Sequence, residues 1–219
     1  MRTIFGFMTA VSIAFLGYMT ASSHSELYHQ RASLFKVLPV TSNDIVFVGN
    51  SITHGCEWHE LFDNPAVKNR GINGDVIAGI RERIDPVVEG HPRKIFLMGG
   101  VNDISHNLSA DSIGRAMGEL IDYIRMKSPE TRLYVQACLP INNSFGRYKL
   151  LKGKEDVVRA YNRILKSMAA EKGYTFIDTY SLFADADGNL DRSCTNDGLH
   201  LMGNAYMRWR DFLLPYINE

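Results

Sequence analysis

The stretch Ile45-Val46-Phe47-Val48-Gly49-Asn50-Ser51 joins four consecutive apolar residues to a glycine and two polar residues. A short, continuous apolar run of this kind is typical of a strand that is covered on both faces, as the strands of parallel sheets are. We therefore expect a buried strand that ends near Gly49 and places Ser51 at the edge of a sheet.

Further apolar runs repeat this pattern along the chain, and segments with apolar residues three and four positions apart lie between them. Such spacing is typical of helices with one buried face. Strands that alternate with helices predict an α/β fold in which right-handed crossovers cover both sides of a parallel sheet. The expected strands are 45–48, 67–69 (the weakest), 95–98, 133–137 and 174–177, and the expected helices lie within 25–37, 113–124, 157–168 and 205–217.

Composition and charge limit the class of protein. The chain has 219 residues, of which 45% are apolar and 22% charged, which suits one globular domain with a sizeable core. Lys and Arg together number 24, as do Asp and Glu, and no basic stripe stands out. Because nucleic-acid binding depends on such a positive surface, we expect no nucleic-acid partner.

The N-terminus differs in kind from the rest of the chain. Met1-Arg2 is followed by an apolar run over 4–21 and a polar segment over 22–25. This pattern predicts a secretory signal peptide at residues 1–21 and a folded domain at residues 24–219. The run is also about as long as a membrane span, so an uncleaved anchor is the alternative. We expect an exported protein (periplasmic, extracellular or at the cell surface) that contacts a membrane only if this segment is retained.

Polar and glycine-containing motifs follow the expected strands. Ligands of parallel α/β sheets bind beyond the carboxyl ends of the strands, so these motifs should gather on one rim. Farther along, Asp197 and His200 put a carboxylate and an imidazole three residues apart. A serine hydrolase needs a histidine to accept the nucleophile's proton and a carboxylate to orient that histidine. Ser51 is the candidate nucleophile.

Four separated blocks, taken in order, resemble the SGNH hydrolases, also called GDSL-type esterases and lipases. The resemblance covers essentially the whole chain after the predicted signal, and it implies a three-layer α/β/α sandwich with a five-stranded parallel sheet, the flavodoxin-like SGNH hydrolase fold. The chain departs from the usual family pattern at Asn50, where aspartate is more frequent. The blocks are Gly49-Asn50-Ser51-Ile52-Thr53, Gly71-Ile72-Asn73-Gly74-Asp75, Gly100-Val101-Asn102-Asp103 and Asp197-Gly198-Leu199-His200.

The resemblance assigns a role to five residues. It implies that Ser51 is the nucleophile, His200 its general base and later acid, and Asp197 the residue that orients His200. It assigns the oxyanion hole to the backbone N–H groups of Ser51 and Gly74 and to the side-chain amide of Asn102. It implies no cofactor and no metal, and the other histidines show no spacing typical of metal ligands.

The cysteine pattern leaves two outcomes open. The three cysteines Cys56, Cys138 and Cys194 allow at most one disulfide. If the segments around Ser51 and Asp197 meet, a Cys56–Cys194 bridge becomes feasible. The alternative is three buried thiols that act as small apolar residues.

The expected function is that of an exported serine esterase that removes small acyl groups, above all O-acetyl, from a carbohydrate. The expected partner is therefore a small-molecule or saccharide ester. We expect Asn73 and Asn142 to contact substrate on a polar rim that also includes Asn143, Arg147 and Tyr148. Two alternatives remain: a lysophospholipase or thioesterase acting on longer acyl chains, and a carbohydrate-binding or anchoring protein with a decayed site.

Overall fold

Five strands form one parallel sheet in the computed structural model, which describes residues 24–219. The predicted signal peptide at residues 1–21 lies outside the described residues. In chain order the strands are β1 (Ile45–Gly49), β2 (Val67–Gly71), β3 (Lys94–Met98), β4 (Arg132–Gln136) and β5 (Thr175–Ile177). They lie in the order β2-β1-β3-β4-β5, and each neighbouring pair is parallel. This is the flavodoxin-like order, so the predicted α/β fold with a five-stranded parallel sheet is confirmed.

The four long helices correspond to the four helices predicted from the sequence, and shorter helices lie between them. No helix within residues 24–219 combines the length and the apolar character needed to cross a bilayer. Short 3-10 helices lie at Asn143–Phe145, Lys149–Leu151 and Arg192–Cys194. The α-helices are α1 (Glu26–Val37), α2 (Ser51–His54), α3 (Trp58–Leu61), α4 (Ile77–Arg83), α5 (Asp85–Val88), α6 (Val101–Ser105), α7 (Ala110–Lys127), α8 (Glu155–Lys172), α9 (Thr179–Phe183) and α10 (Gly203–Asn218).

The core is divided between the two faces of the sheet. On one face Phe47, Phe96 and Tyr134 occupy matched register positions, and their rings stack across β1, β3 and β4. Trp58 of α3 stacks on Phe47 at 4.1 Å between ring centroids, and Trp209 of α10 meets Trp58 edge-on at 5.1 Å. On the opposite face the crossover helices α7 and α8 pack against each other, and α4 packs beside α7.

The cysteines form no disulfide. Cys56, Cys138 and Cys194 are free and buried, so the Cys56–Cys194 bridge that the sequence left open is absent. Burial raises the pKa of both the Cys56 and the Cys138 thiol to about 12. These two thiols are therefore protonated at neutral pH and act as small apolar groups.

Candidate active site

Ser51 is the first residue of α2, directly beyond the end of β1. Asn50 begins this helix, because its side-chain oxygen accepts a hydrogen bond from the Ile52 N–H at 3.1 Å. Such a cap needs only an oxygen acceptor, which asparagine supplies as well as aspartate does. The departure from the usual family pattern at Asn50 therefore leaves the local geometry around Ser51 intact.

The loop that carries Asp197 and His200 is folded by the Asp197 carboxylate itself. Its Oδ1 accepts hydrogen bonds from the N–H groups of Leu199 at 2.9 Å and His200 at 2.8 Å. Gly198 has φ 88°, and a Cβ there would lie 2.3 Å from the Asn142 carbonyl oxygen. Glycine thus lets this loop lie directly on the segment after β4, whose Asn142 N–H donates to the Gly198 carbonyl oxygen at 2.8 Å.

A chain of hydrogen bonds links the two predicted segments. His200 Nε2 lies 2.9 Å from Ser51 Oγ, and His200 Nδ1 lies 2.8 Å from Asp197 Oδ2. Because the carboxylate accepts and cannot donate, Nδ1 carries the imidazole proton and Nε2 is left to accept the Ser51 hydroxyl proton. The structure therefore brings Ser51, His200 and Asp197 together in the order that a serine hydrolase requires.

The Asp197 carboxylate is held in its charged form. Its partial burial alone would raise its pKa, but the hydrogen bonds from the His200 side chain and from the backbone N–H groups of His200 and Leu199 outweigh burial. The pKa of Asp197 is consequently held well below its ordinary value. At neutral pH Asp197 is a carboxylate that can stabilise a protonated His200.

The three candidate oxyanion donors follow the carboxyl ends of the neighbouring strands β2, β1 and β3, where the strand order changes direction. The Ser51 N–H opens α2 and has no acceptor within that helix. Gly74 is exposed at φ 77°, and a Cβ there would meet no atom within 4 Å. Asn102 Nδ2 donates to the Asp75 carbonyl oxygen at 2.8 Å. That bond fixes the amide of Asn102 beside the residue that follows Gly74.

The two predicted substrate-binding asparagines lie in different environments. Asn73 is exposed next to Gly74, and its side-chain oxygen lies 2.7 Å from His54 Nδ1. Asn142 is buried, with its oxygen accepting from Ser144 and its Nδ2 donating to the Leu190 carbonyl oxygen at 2.8 Å. Asn73 remains available on the rim, whereas the predicted substrate contact of Asn142 has no support in this geometry.

Tyr148 has a position that the sequence did not indicate. Its hydroxyl donates to Asp197 Oδ2 at 2.8 Å and lies 3.0 Å from His200 Nδ1. The sequence placed Tyr148 on the polar rim without any relation to His200. A contact across about 50 residues, made from an irregular loop, leaves no periodic signal that could have predicted it.

Arg83 is a second residue that sequence reasoning missed. It is buried in α4, and its guanidinium donates to Asp75 Oδ2 at 2.7 Å, to the Arg70 carbonyl oxygen at 2.8 Å and to the Gly49 carbonyl oxygen at 3.0 Å. Burial raises the pKa of Asp75, and the charge of Arg83 opposes that rise. One side chain thus joins the ends of β1 and β2 to the residue after Gly74.

The arrangement suits acyl transfer by an activated serine. A hydroxyl nucleophile, a histidine base and a carboxylate are in direct contact, and backbone and amide donors follow the adjacent strands. Within residues 24–219, no three His, Cys, Asp or Glu side chains come together in a way that could hold a metal ion.

Comparisons with known proteins agree with this geometry. The sequence matches the model of the GDSL-like Lipase/Acylhydrolase family over residues 47–208. Platelet-activating factor acetylhydrolase IB subunit alpha1 from Rattus norvegicus is 26% identical over an alignment of 173 positions, and the match covers 74% of this chain and 70% of that protein. The same subunit from Homo sapiens is 24% identical over 168 residues, with the same two shares.

Solved structures share the fold. A GDSL-like lipase from Bacteroides thetaiotaomicron superposes with a TM-score of 0.69 at 19% identity, covering 87% of this chain and 96% of that one. A variant of an acetyl-xylooligosaccharide esterase from Geobacillus Stearmophilus superposes with a TM-score of 0.65 at 17% identity, covering 82% and 96%.

Proposed function

The chain belongs to the GDSL-like lipase/acylhydrolase family, and on that basis we propose that it is a serine esterase whose catalytic triad is Ser51, His200 and Asp197. The observation that carries the proposal is the unbroken chain of hydrogen bonds from Ser51 Oγ through His200 to Asp197. The substrate that we propose is a small acyl ester, above all an O-acetyl ester of a carbohydrate.

In the first half of the reaction, Ser51 Oγ attacks the ester carbonyl carbon while its proton passes to His200 Nε2. Asp197 stabilises the imidazolium that forms and keeps its ring in place. The tetrahedral intermediate then breaks its bond to the alcohol oxygen, which takes the proton from His200 Nε2. The alcohol leaves, and the acyl group remains bound to Ser51.

The second half repeats these steps with water in place of the alcohol. His200 takes a proton from the water as its oxygen attacks the acyl carbon. The new intermediate then releases the carboxylic acid, and the proton on His200 returns to Ser51 Oγ. Asp197 stays charged throughout, which its lowered pKa favours.

The oxyanion of each intermediate is accommodated by donors that are in place before substrate arrives. These are the N–H groups of Ser51 and Gly74 and the side-chain amide of Asn102. One amide hydrogen of Asn102 bonds to the Asp75 carbonyl oxygen, which orients the amide and leaves its other hydrogen for the oxyanion. Donors that need no reorganisation stabilise the transition state more than the ground state.

Replacing Asn102 tests this assignment. We expect Asn102→Ala to lower kcat on an aryl acetate by about a hundred- to a thousandfold with little change in KM, as the loss of one oxyanion donor does. The matched control is His106→Ala, at an exposed position at the end of the same helix, which should keep wild-type kcat. An Asn102→Ala enzyme within twofold of wild type would remove Asn102 from the oxyanion hole.

Two observations support a small acyl group on a hydrophilic alcohol. The names of the rat relative and of the Geobacillus esterase both specify an acetyl group, although the alcohols that they name differ. The predicted rim residues Asn73 and Arg147 are exposed and polar, which suits a hydrophilic alcohol.

The acyl-chain preference can be measured directly. We expect kcat/KM on 4-nitrophenyl acetate to exceed that on 4-nitrophenyl octanoate by about tenfold or more, as a site shaped for a small acyl group would discriminate. The two esters share a leaving group, so each serves as the control for the other. A higher kcat/KM on the octanoate would favour the lysophospholipase or thioesterase alternative.

The carbohydrate half of the proposal rests on the polar rim and on the predicted export. Acetate release from a panel of acetylated sugars, with acetylated lysophospholipid analogues as the comparison, would identify the alcohol.

Export is proposed from residues 1–21, and the N-terminal sequence of the mature protein tests it. A mature chain beginning near residue 24 supports a cleaved signal, and one that retains the apolar run supports an anchor.

A further inference from the structure

The Tyr148 side chain contacts both Asp197 and His200, which share one loop. Its hydroxyl donates to Asp197 Oδ2 at 2.8 Å, its oxygen lies 3.0 Å from His200 Nδ1, and its ring meets the His200 ring edge-on with 5.6 Å between centroids. The half-buried side chain therefore contacts the carboxylate and the imidazole together. The mechanism described above makes no use of it.

The Tyr148 hydroxyl completes the hydrogen bonds of the Asp197 carboxylate. Oδ1 accepts from the N–H groups of Leu199 and His200, and Oδ2 accepts from His200 Nδ1. Oδ1 also accepts from the Thr195 hydroxyl at 3.2 Å, and the Tyr148 hydroxyl is the second donor to Oδ2. With both oxygens occupied, the carboxylate is held so that Oδ2 faces His200.

The tyrosine also favours one imidazole tautomer. The Tyr148 hydroxyl donates its proton to Asp197, so the phenol oxygen faces His200 Nδ1 with a lone pair. That lone pair would repel an unprotonated Nδ1 and accept weakly from a protonated one. The productive tautomer, with its proton on Nδ1 and a free Nε2 facing Ser51, is therefore the one that Tyr148 stabilises.

Tyr148 stays neutral in this setting. Burial and the hydrogen bond to Asp197 raise the pKa of its phenol to about 12. At the pH of ester hydrolysis it is a donor, and it adds no second negative charge beside Asp197.

Hydrogen bonds hold the segment that carries Tyr148 against the loop of Asp197 and His200. Tyr148 lies between the 3-10 helices Asn143–Phe145 and Lys149–Leu151. At one end Asn142 bonds through its backbone N–H to the Gly198 carbonyl oxygen and through its side chain to the Leu190 carbonyl oxygen. At the other end Leu151 is buried. The hydroxyl is thus presented from a fixed position.

We propose that Tyr148 is a positioning residue that holds Asp197 and His200 in the reactive arrangement, so that its hydroxyl contributes to kcat without touching substrate. The proposal rests on the proposed function of Ser51, His200 and Asp197.

The decisive variant is Tyr148→Phe, which removes the hydroxyl and keeps the ring against His200. We expect kcat on an aryl acetate to fall about ten- to a hundredfold, as loss of a hydrogen bond to a charged group predicts, while KM stays unchanged and the variant remains fully folded at the assay temperature. Labelling of Ser51 by a small organophosphonate should slow by a similar factor, because it needs the activated serine but no substrate alcohol. The low-field proton resonance of His200 Nδ1 should broaden or move.

The matched control is Tyr180→Phe, since the Tyr180 hydroxyl likewise donates a hydrogen bond, to the Gly188 carbonyl oxygen at 2.7 Å, but lies outside the site. It should keep wild-type kcat. A Tyr148→Phe enzyme with higher KM and unchanged kcat would make Tyr148 a wall of the substrate site and overturn the proposal. Unchanged kcat with a lower denaturation midpoint would mean that Tyr148 only stabilises the fold, which would also overturn the proposal. Failure of the proposed function itself looks different, because the wild-type enzyme would then neither hydrolyse esters nor be labelled at Ser51.

Discussion

Ser51→Ala is expected to reduce kcat on an aryl acetate about a millionfold, which places turnover below ordinary detection. In the proposed mechanism alanine removes the atom that forms the acyl bond, and His200 Nε2, 2.9 Å from Ser51 Oγ in the wild type, loses its proton donor. The remaining oxyanion donors would sustain only a small residual rate. Release of the aryl alcohol measures the loss, and the mass increase on reaction with an organophosphonate, absent in the variant, measures it independently.

The same variant separates catalysis from stability. Ser51 makes no side-chain hydrogen bond within residues 24–219 other than the one to His200, so the denaturation midpoint should be unchanged. Ser193→Ala, at an exposed position shortly before the loop that carries Asp197 and His200, is the matched control and should remain active. Wild-type turnover in Ser51→Ala would refute the mechanism. A wild-type protein that binds acetylated saccharides and hydrolyses none would instead favour the carbohydrate-binding alternative.

The fold was predictable where burial leaves a simple pattern. β1 and β3 are buried along their whole length, and residues 45–48 and 95–98 within them are continuous apolar runs. Lys94, which begins β3, is buried as well, because its Nζ donates to the carbonyl oxygens of Tyr216 and Ile217. β2 pairs only with β1 at the edge of the sheet, and its sequence Val67-Lys68-Asn69-Arg70-Gly71 needs fewer apolar residues. That is why the sequence predicts this strand only weakly and over 67–69, two residues short of its end at Gly71.

The candidate site was predictable to the extent that it lies in short contiguous motifs. Parallel strands bring Ser51, Gly74 and Asn102 to one rim whatever the details of packing, and Asp197 and His200 share one turn. Contacts between irregular segments have no such regularity. The sequence therefore could not distinguish Asn142, whose amide is used inside the fold, from exposed Asn73, and it gave no sign that Tyr148 reaches Asp197.

The buried ion pair between Arg83 and Asp75 could not be predicted from the sequence for a related reason. Arg83 and Asp75 have side chains that are 2% and 0% exposed, whereas charged residues at the end of a short helix ordinarily face water. Only the folded chain shows that three carbonyl and carboxylate groups converge on this guanidinium. A buried ion pair adds little net stability compared with apolar residues, but breaking it leaves an uncompensated charge.

Arg83→Met is accordingly expected to lower the free energy of unfolding by about 3–5 kcal/mol, measured by urea denaturation at pH 8. The loss should be smaller at pH 5. Burial already raises the pKa of Asp75 in the wild type, and without the opposing charge of Arg83 the rise is larger, so the stability of the variant falls further as pH rises from the unfolded-state pKa through the folded-state pKa. The double variant Asp75→Asn/Arg83→Met, which also removes the uncompensated carboxylate, should recover part of the lost stability.

Arg159→Met is the control, because it breaks a surface pair with Asp156 whose side chains are 39% and 92% exposed. It should lower the free energy of unfolding by less than about 1 kcal/mol. An equally small, pH-independent loss in Arg83→Met would show that the buried pair does not hold the ends of β1 and β2 together.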